Sequence, residues 1–218
     1  MQQPLAYTPE ELENVKEALS EERLGPYLTL ADDDLYEAIR LHGRNTSFSE
    51  ARYGLFQGLE VALRNSMHRA LSAGLARKDW YDSVTWRVAQ QEQIDNAKDS
   101  RLKKAKPVTP GRIVAELTFR FWIGLTGPKY SVDLGEKHLD KAFPKAKLGR
   151  KQLNKRLESI RLLRNRVAHH ESILARDLQK DVDRILETIG WISLDTQRWV
   201  RQTSCFSERF GTNASPIP

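Results

Sequence analysis

The stretch GRKQLNKRLESIRLLRNRVAHHE, residues 149–171, decides how the rest of the chain is read. At about 3.6 residues per turn, Leu153, Leu157, Ile160 and Val167 fall on one inward stripe, while Lys151 and Lys155 fall on the outer face. That is the pattern of a long, basic, amphipathic helix. Arg164 sits within the apolar stripe, about 20° from Leu153 on this wheel, and Arg161 lies at its edge. A charge inside an apolar stripe must be compensated, because burying one unpaired costs several kcal/mol. Three arrangements would do so: a carboxylate partner such as Glu60, a subunit interface, or a cleft that holds an anion.

Charge along the chain is uneven. Residues 141–166 carry ten Lys or Arg against one acid, and residues 98–112 carry six against one. Those segments hold +14 of a net +6, so the remainder is −8. Such polarity presents a basic surface to an anionic partner, although a merely solvated face has the same composition. At 218 residues with 39% hydrophobic content, the chain can bury a core without staples. No apolar run approaches the roughly 18 residues of a membrane helix. The start, MQQPLAYTPEELENVKEAL, has no basic patch followed by an apolar core, unlike a secretory signal. Cys205 is the single cysteine, which excludes a disulfide framework and a cysteine-rich zinc site. A cytoplasmic protein is expected, with no membrane partner.

Helical periodicity dominates, and no strand pattern competes. Thr8 is expected to cap a first helix, with Pro9 at its first position and Glu10 and Glu11 near its positive end. DDDLYEAIRLHGRN predicts a second helix. SFSEARYGLFQGLEVALRNSMHRALSAGL predicts a third, with Phe48, Leu55, Leu59, Ala62 and Ala70 on one stripe. VAQQEQIDNAKDSRLKKA predicts a polar helix. RIVAELTFRFWIGL, entered through Thr109 and Pro110, predicts one buried helix ending near Gly127-Pro128. DLQKDVDRILETIGWISLDTQRWVRQ closes the chain as one or two helices. The expectation is a single all-α domain over residues 1–218, with flexible ends at 1–7 and 211–218. Trp122, Trp191 and Trp199 are expected in the core rather than as base-stacking platforms.

Within the opening stretch, Asn165 and His169 are four apart and share a helix face. Adjacent histidines on a helix point apart and no HxxxH spacing occurs, so neither metal nor other cofactor is expected. Histidine can take or give a proton near neutral pH. Arginine stays charged and grips phosphate with two parallel hydrogen bonds. Together they suit RNA cleavage: the ribose 2′-hydroxyl attacks phosphorus, histidine handles a proton, and arginine stabilises the phosphorane. An ideal helix nevertheless sets Arg164 and His169 about 140° apart. Either the helix distorts before His169, or two copies of the stretch face each other across a dimer. Arg64, Asn65 and His68 form a second Arg/His cluster, where a Glu60–Arg64 brace is the simpler reading.

The segment LRNRVAHHE resembles the signature of the Abi-like abortive-infection proteins (AbiD/AbiF type), which belong to the HEPN superfamily. That motif is an arginine, four to six residues, then a histidine, with a polar residue often right after the arginine. Arg164, Asn165 and His169 fit it. LEVALRNSMHRAL, TPGRIVAELTFRFWIGL, AFP at residues 142–144 and the Trp191–Trp199 segment are similar to further family blocks, so the resemblance spans roughly residues 27–199. It implies a HEPN-type helical bundle with additional helices, a homodimer with paired motifs, and a metal-independent endoribonuclease. Such a protein would act in phage defence or as the toxin of a toxin–antitoxin pair. The resemblance implies catalysis by Arg164, Asn165 and His169, with His170 and Glu171 in support. RNA is the expected partner, as substrate and as a structured noncoding RNA, contacted through Lys147, Arg150, Lys151, Lys155, Arg161 and Arg166. A non-catalytic RNA-binding scaffold is the alternative. Many relatives have proline where this chain has Ser172, so the sequence leaves the helix end unfixed.

Overall fold

The computed structural model describes residues 7–204, and the secondary structure there is helical without a strand. The helices are α1 (Pro9–Leu19), α2 (Glu21–Leu30), α3 (Leu35–Gly74), α4 (Val88–Lys103), α5 (Pro110–Glu116), α6 (Phe119–Leu125), α7 (Arg150–Ala168), α8 (Leu178–Ile192) and α9 (Leu194–Thr203). Short 3₁₀ and π turns fill the stretch between α6 and α7. Apart from Tyr7, the ends expected to be flexible lie outside the described residues, and so does Cys205.

The local signals explain most boundaries. α1 begins with a reciprocal capping box, in which the Thr8 N–H donates to Glu11 Oε2 at 2.7 Å and the Glu11 N–H donates to Thr8 Oγ1 at 3.3 Å. The expected second and third helices are a single helix of 40 residues, α3. Thr46 and Ser47, at the junction of those two stretches, donate back to the carbonyls of His42 and Gly43, at 3.2 Å each. α2 covers a stretch for which the sequence reading proposes no helix; Pro26 lies inside it and forfeits one backbone hydrogen bond. The expected buried helix over residues 112–125 is two helices. Thr118 interrupts it and caps α6, its hydroxyl accepting from the Phe121 N–H at 3.2 Å.

The chain divides into two compact units, both discontinuous in sequence. The first comprises Met1–Tyr53, Leu163–Val182 and Ser204–Pro218. Its core gathers Leu24, Tyr27, Leu41, Phe48, Leu163, Ile173, Leu174 and Leu178. Arg52 is fully buried there, donating to the carbonyls of Phe48 at 2.6 Å and Leu178 at 3.2 Å. Burial pulls the Arg52 pKa down to about 10, against the opposing pull of Asp181.

The second unit comprises Gly54–Leu162 and Asp183–Thr203. Its core is aromatic. Trp80 packs edge-on against Trp86 and Trp122, with ring centroids 5.8 Å apart in both pairs, and Phe121 meets Trp122 at 5.3 Å. Trp122 and Trp191 are buried as expected. Trp199 is not: it is 59% exposed, because α9 turns Val200 inward instead. Val200 occupies the space where a Cβ on Gly58 would sit, 2.6 Å from its Cγ2.

Candidate active site at the end of helix α7

All the expected catalytic residues lie in the first unit. The inward stripe of α7 drifts as it approaches them. Leu153, Leu157 and Ile160 are buried, but the next buried position is Leu163, while Arg164 and Val167 are half-buried. Arg164 therefore stands at the border of the apolar stripe rather than in its centre. Asn165 is half-buried, and Arg166, His169, His170 and Glu171 are exposed.

The helix stays regular up to this point. The His169 N–H still donates to the Asn165 carbonyl at 2.9 Å, as in an ideal α-turn. Of the two alternatives raised by the wheel, a distortion before His169 is not found. Asn165 and His169 share a face, and Arg164 points elsewhere on the same copy.

The helix end, unfixed in the sequence, is a Schellman turn. The His170 N–H donates to the Val167 carbonyl at 3.2 Å and the Glu171 N–H to the Arg166 carbonyl at 2.9 Å. His170 takes the left-handed position with φ 58°, where glycine is usual. Arg166 and Glu171 approach to 3.8 Å, but both are half exposed, so the pair adds little.

Two residues from distant helices hold this turn in place. Arg23, on α2, donates from one guanidinium nitrogen to the carbonyls of His169 and His170, at 2.9 Å each. The cation also complements the negative end of α7. Asn45, on α3 and buried, grips the chain just beyond. Its Nδ2 donates to the Glu171 carbonyl at 3.4 Å, and its Oδ1 accepts from the Ile173 N–H at 2.9 Å.

Two rings complete the surroundings. Tyr27 and His42 meet edge-to-face at 5.2 Å. Burial raises the Tyr27 phenol above its usual range, opposed by Ser172, Arg23 and Asn45. Burial, followed by the positive charge of Arg23, holds His42 below its ordinary value of 6.5. The neutral form of the His42 ring is thus favoured beside the Arg23 guanidinium.

The residues expected to bind RNA divide differently. Arg166 belongs to the first unit, and Lys147, Arg150, Lys151, Lys155 and Arg161 to the second. Lys147, Lys151 and Lys155 are exposed to solvent. Arg150 and Arg161 are committed to carboxylates, Arg150 to Asp140 at 2.6 Å and Arg161 to Glu158 at 2.7 Å. Among the described residues, no three His, Cys, Asp or Glu side chains group as metal ligands. No described helix is long and apolar enough to cross a membrane.

Arg23, Tyr27, His42 and Asn45 were missed by the sequence reading. They lie more than 120 residues from the turn they surround, and no local pattern links them to it. No family model, no curated protein and no solved structure matches this chain.

Proposed function

We propose that this chain is a metal-independent endoribonuclease of the Abi-like HEPN kind, with Arg164 and His169 of two copies converging on one RNA phosphodiester. The observation that carries this reading is the regular end of α7, where half-buried Asn165 and exposed His169 share a face and Arg164 diverges from them. One copy of a straight helix does not easily aim both side chains at a single phosphate, and a homodimer with paired motifs would supply the complement. The ribose 2′-hydroxyl attacks the adjacent phosphorus and the P–O5′ bond breaks. The products are a 2′,3′-cyclic phosphate and a 5′-hydroxyl. His169 takes or returns the transferred proton, Arg164 balances the charge on the phosphorane oxygens, and Asn165 orients the ring or an oxygen. Lys147, Lys151 and Lys155, being exposed, suit the RNA backbone. A growth-arresting or phage-defence role, held in check by a structured noncoding RNA, belongs to the same proposal.

The test is cleavage of RNA in EDTA by wild type, Arg164→Ala and His169→Ala. Wild type is expected to leave cyclic phosphate ends. Each variant should lose about 100-fold or more in rate while keeping its helical circular dichroism. Undiminished cleavage by both variants contradicts the assignment. Salt-sensitive RNA binding by wild type without any cleavage would identify a scaffold instead.

A further inference from the structure

A cleft of about 550 Å³ opens at the C-terminal end of α3, within the second unit. It is lined by His68, Arg69, Ser72, Arg77 and Lys78, with Ala73 and Ala76 as apolar wall. We propose that this cleft binds a phosphate monoester, carried by a small molecule or by the end of an RNA chain.

Charge is the first argument. Three of the lining side chains are cationic and none is acidic. Arg77 is engaged with Asp79 through two hydrogen bonds of 2.8 and 2.9 Å. Arg69 and Lys78 have no ion pair among the described residues. Two uncompensated cations match the charge of a phosphate monoester near neutral pH.

Donor geometry is the second argument. The Trp80 indole N–H, which can only donate, meets His68 Nδ1 at 2.9 Å. Nδ1 is therefore an acceptor, and the neutral ring carries its proton on Nε2. The donor left on this lining residue for an anionic oxygen is thus Nε2–H, because the Ser72 hydroxyl, 3.4 Å from Nδ1, has its one proton directed to that same acceptor.

The helix end itself would repel an anion, but two of its terminal carbonyls, those of Leu71 and Ser72, are occupied. The Arg77 N–H donates to the Ser72 carbonyl at 3.1 Å and the Leu75 N–H to the Leu71 carbonyl at 2.9 Å. The volume lies within the range of roughly 300–1,000 Å³ found for small-molecule sites. It leaves room for the organic part of a monoester against Ala73 and Ala76.

The Trp80 indole N–H gives a direct readout, because its hydrogen-bond partner lines the cleft. Its NMR resonance would be followed in the full chain during titration with inorganic phosphate, at ionic strength held constant with sodium chloride. A saturable shift is expected. In the double variant Arg69→Ala/Lys78→Ala, whose side chains are exposed, the apparent Kd should rise about tenfold or more. A second pair of titrations uses one RNA oligonucleotide with a 5′-phosphate or a 5′-hydroxyl. Tighter binding of the phosphorylated form assigns the site to an RNA end. Equal binding of the two oligonucleotides, with phosphate still saturating, assigns it to a free phosphorylated compound. A shift that never saturates, or one unchanged in the double variant, overturns the proposal. The oligonucleotide titrations use the His169→Ala chain, so that none of these outcomes depends on whether the chain cleaves RNA.

Discussion

Arg23 holds the end of α7 from outside: one of its guanidinium nitrogens donates to the carbonyls of both His169 and His170, 2.9 Å from each. The backbone that carries His169 is therefore set by α2. Arg23→Ala should lower stability by about 1–2 kcal/mol, since two charge-assisted bonds are lost from an exposed donor. It should also speed hydrogen exchange at the amides of His170 and Glu171, which report on the turn. Unaltered exchange there would mean that the turn holds its shape alone. Arg23→Lys should recover part of the effect.

Asn45 makes a sharper demand because it is only 4% exposed. Asn45→Ala leaves the Ile173 N–H without its acceptor, at a cost of about 1–3 kcal/mol. Asn45→Asp keeps that acceptor and loses the donor to Glu171, so its urea midpoint should fall between those of Asn45→Ala and wild type.

His170 works in the opposite direction. A histidine at φ 58° is strained where glycine is not. His170→Gly should stabilise the chain by about 0.5–1 kcal/mol, raising Tm. A lower Tm would show that the His170 side chain contributes more than its backbone costs.

The histidines give stability a direction with pH. His42 and His68 are both held below 6.5 in the folded chain, first by burial and then by nearby cations. Folding thus favours their neutral rings. That stabilisation is complete above the unfolded value near 6.5 and is lost as pH falls through each lower folded value. For His68, protonation also costs the hydrogen bond from Trp80. Urea midpoints should fall from pH 7.5 to pH 5, and the fall should shrink in His42→Gln.

Much of this was legible in the residues. Thr8-Pro9-Glu10-Glu11 fixes the start of α1 because a capping box is local. The spacing of Leu153, Leu157 and Ile160 gives α7 its buried face. What escaped was non-local or ambiguous. Thr46 and Ser47 can cap a helix or bond back within one, and only the surrounding packing chooses. Gly25-Pro26 disfavours a helix that its buried neighbours Leu24 and Tyr27 nevertheless secure. The motif residues could be named from the sequence, but not the hold of Arg23 and Asn45 on them, which arises only from tertiary contact.

In the proposed site Arg164 and His169 act from different copies. The most direct test co-expresses Arg164→Ala and His169→Ala chains under distinct tags, purifies the mixed dimer and measures RNA cleavage in EDTA. Each variant alone should be inactive. The mixed dimer joins the intact Arg164 of one chain to the intact His169 of the other, so a substantial fraction of wild-type cleavage should return. A purified mixed dimer as inactive as either parent, beside an active wild type, would contradict the account.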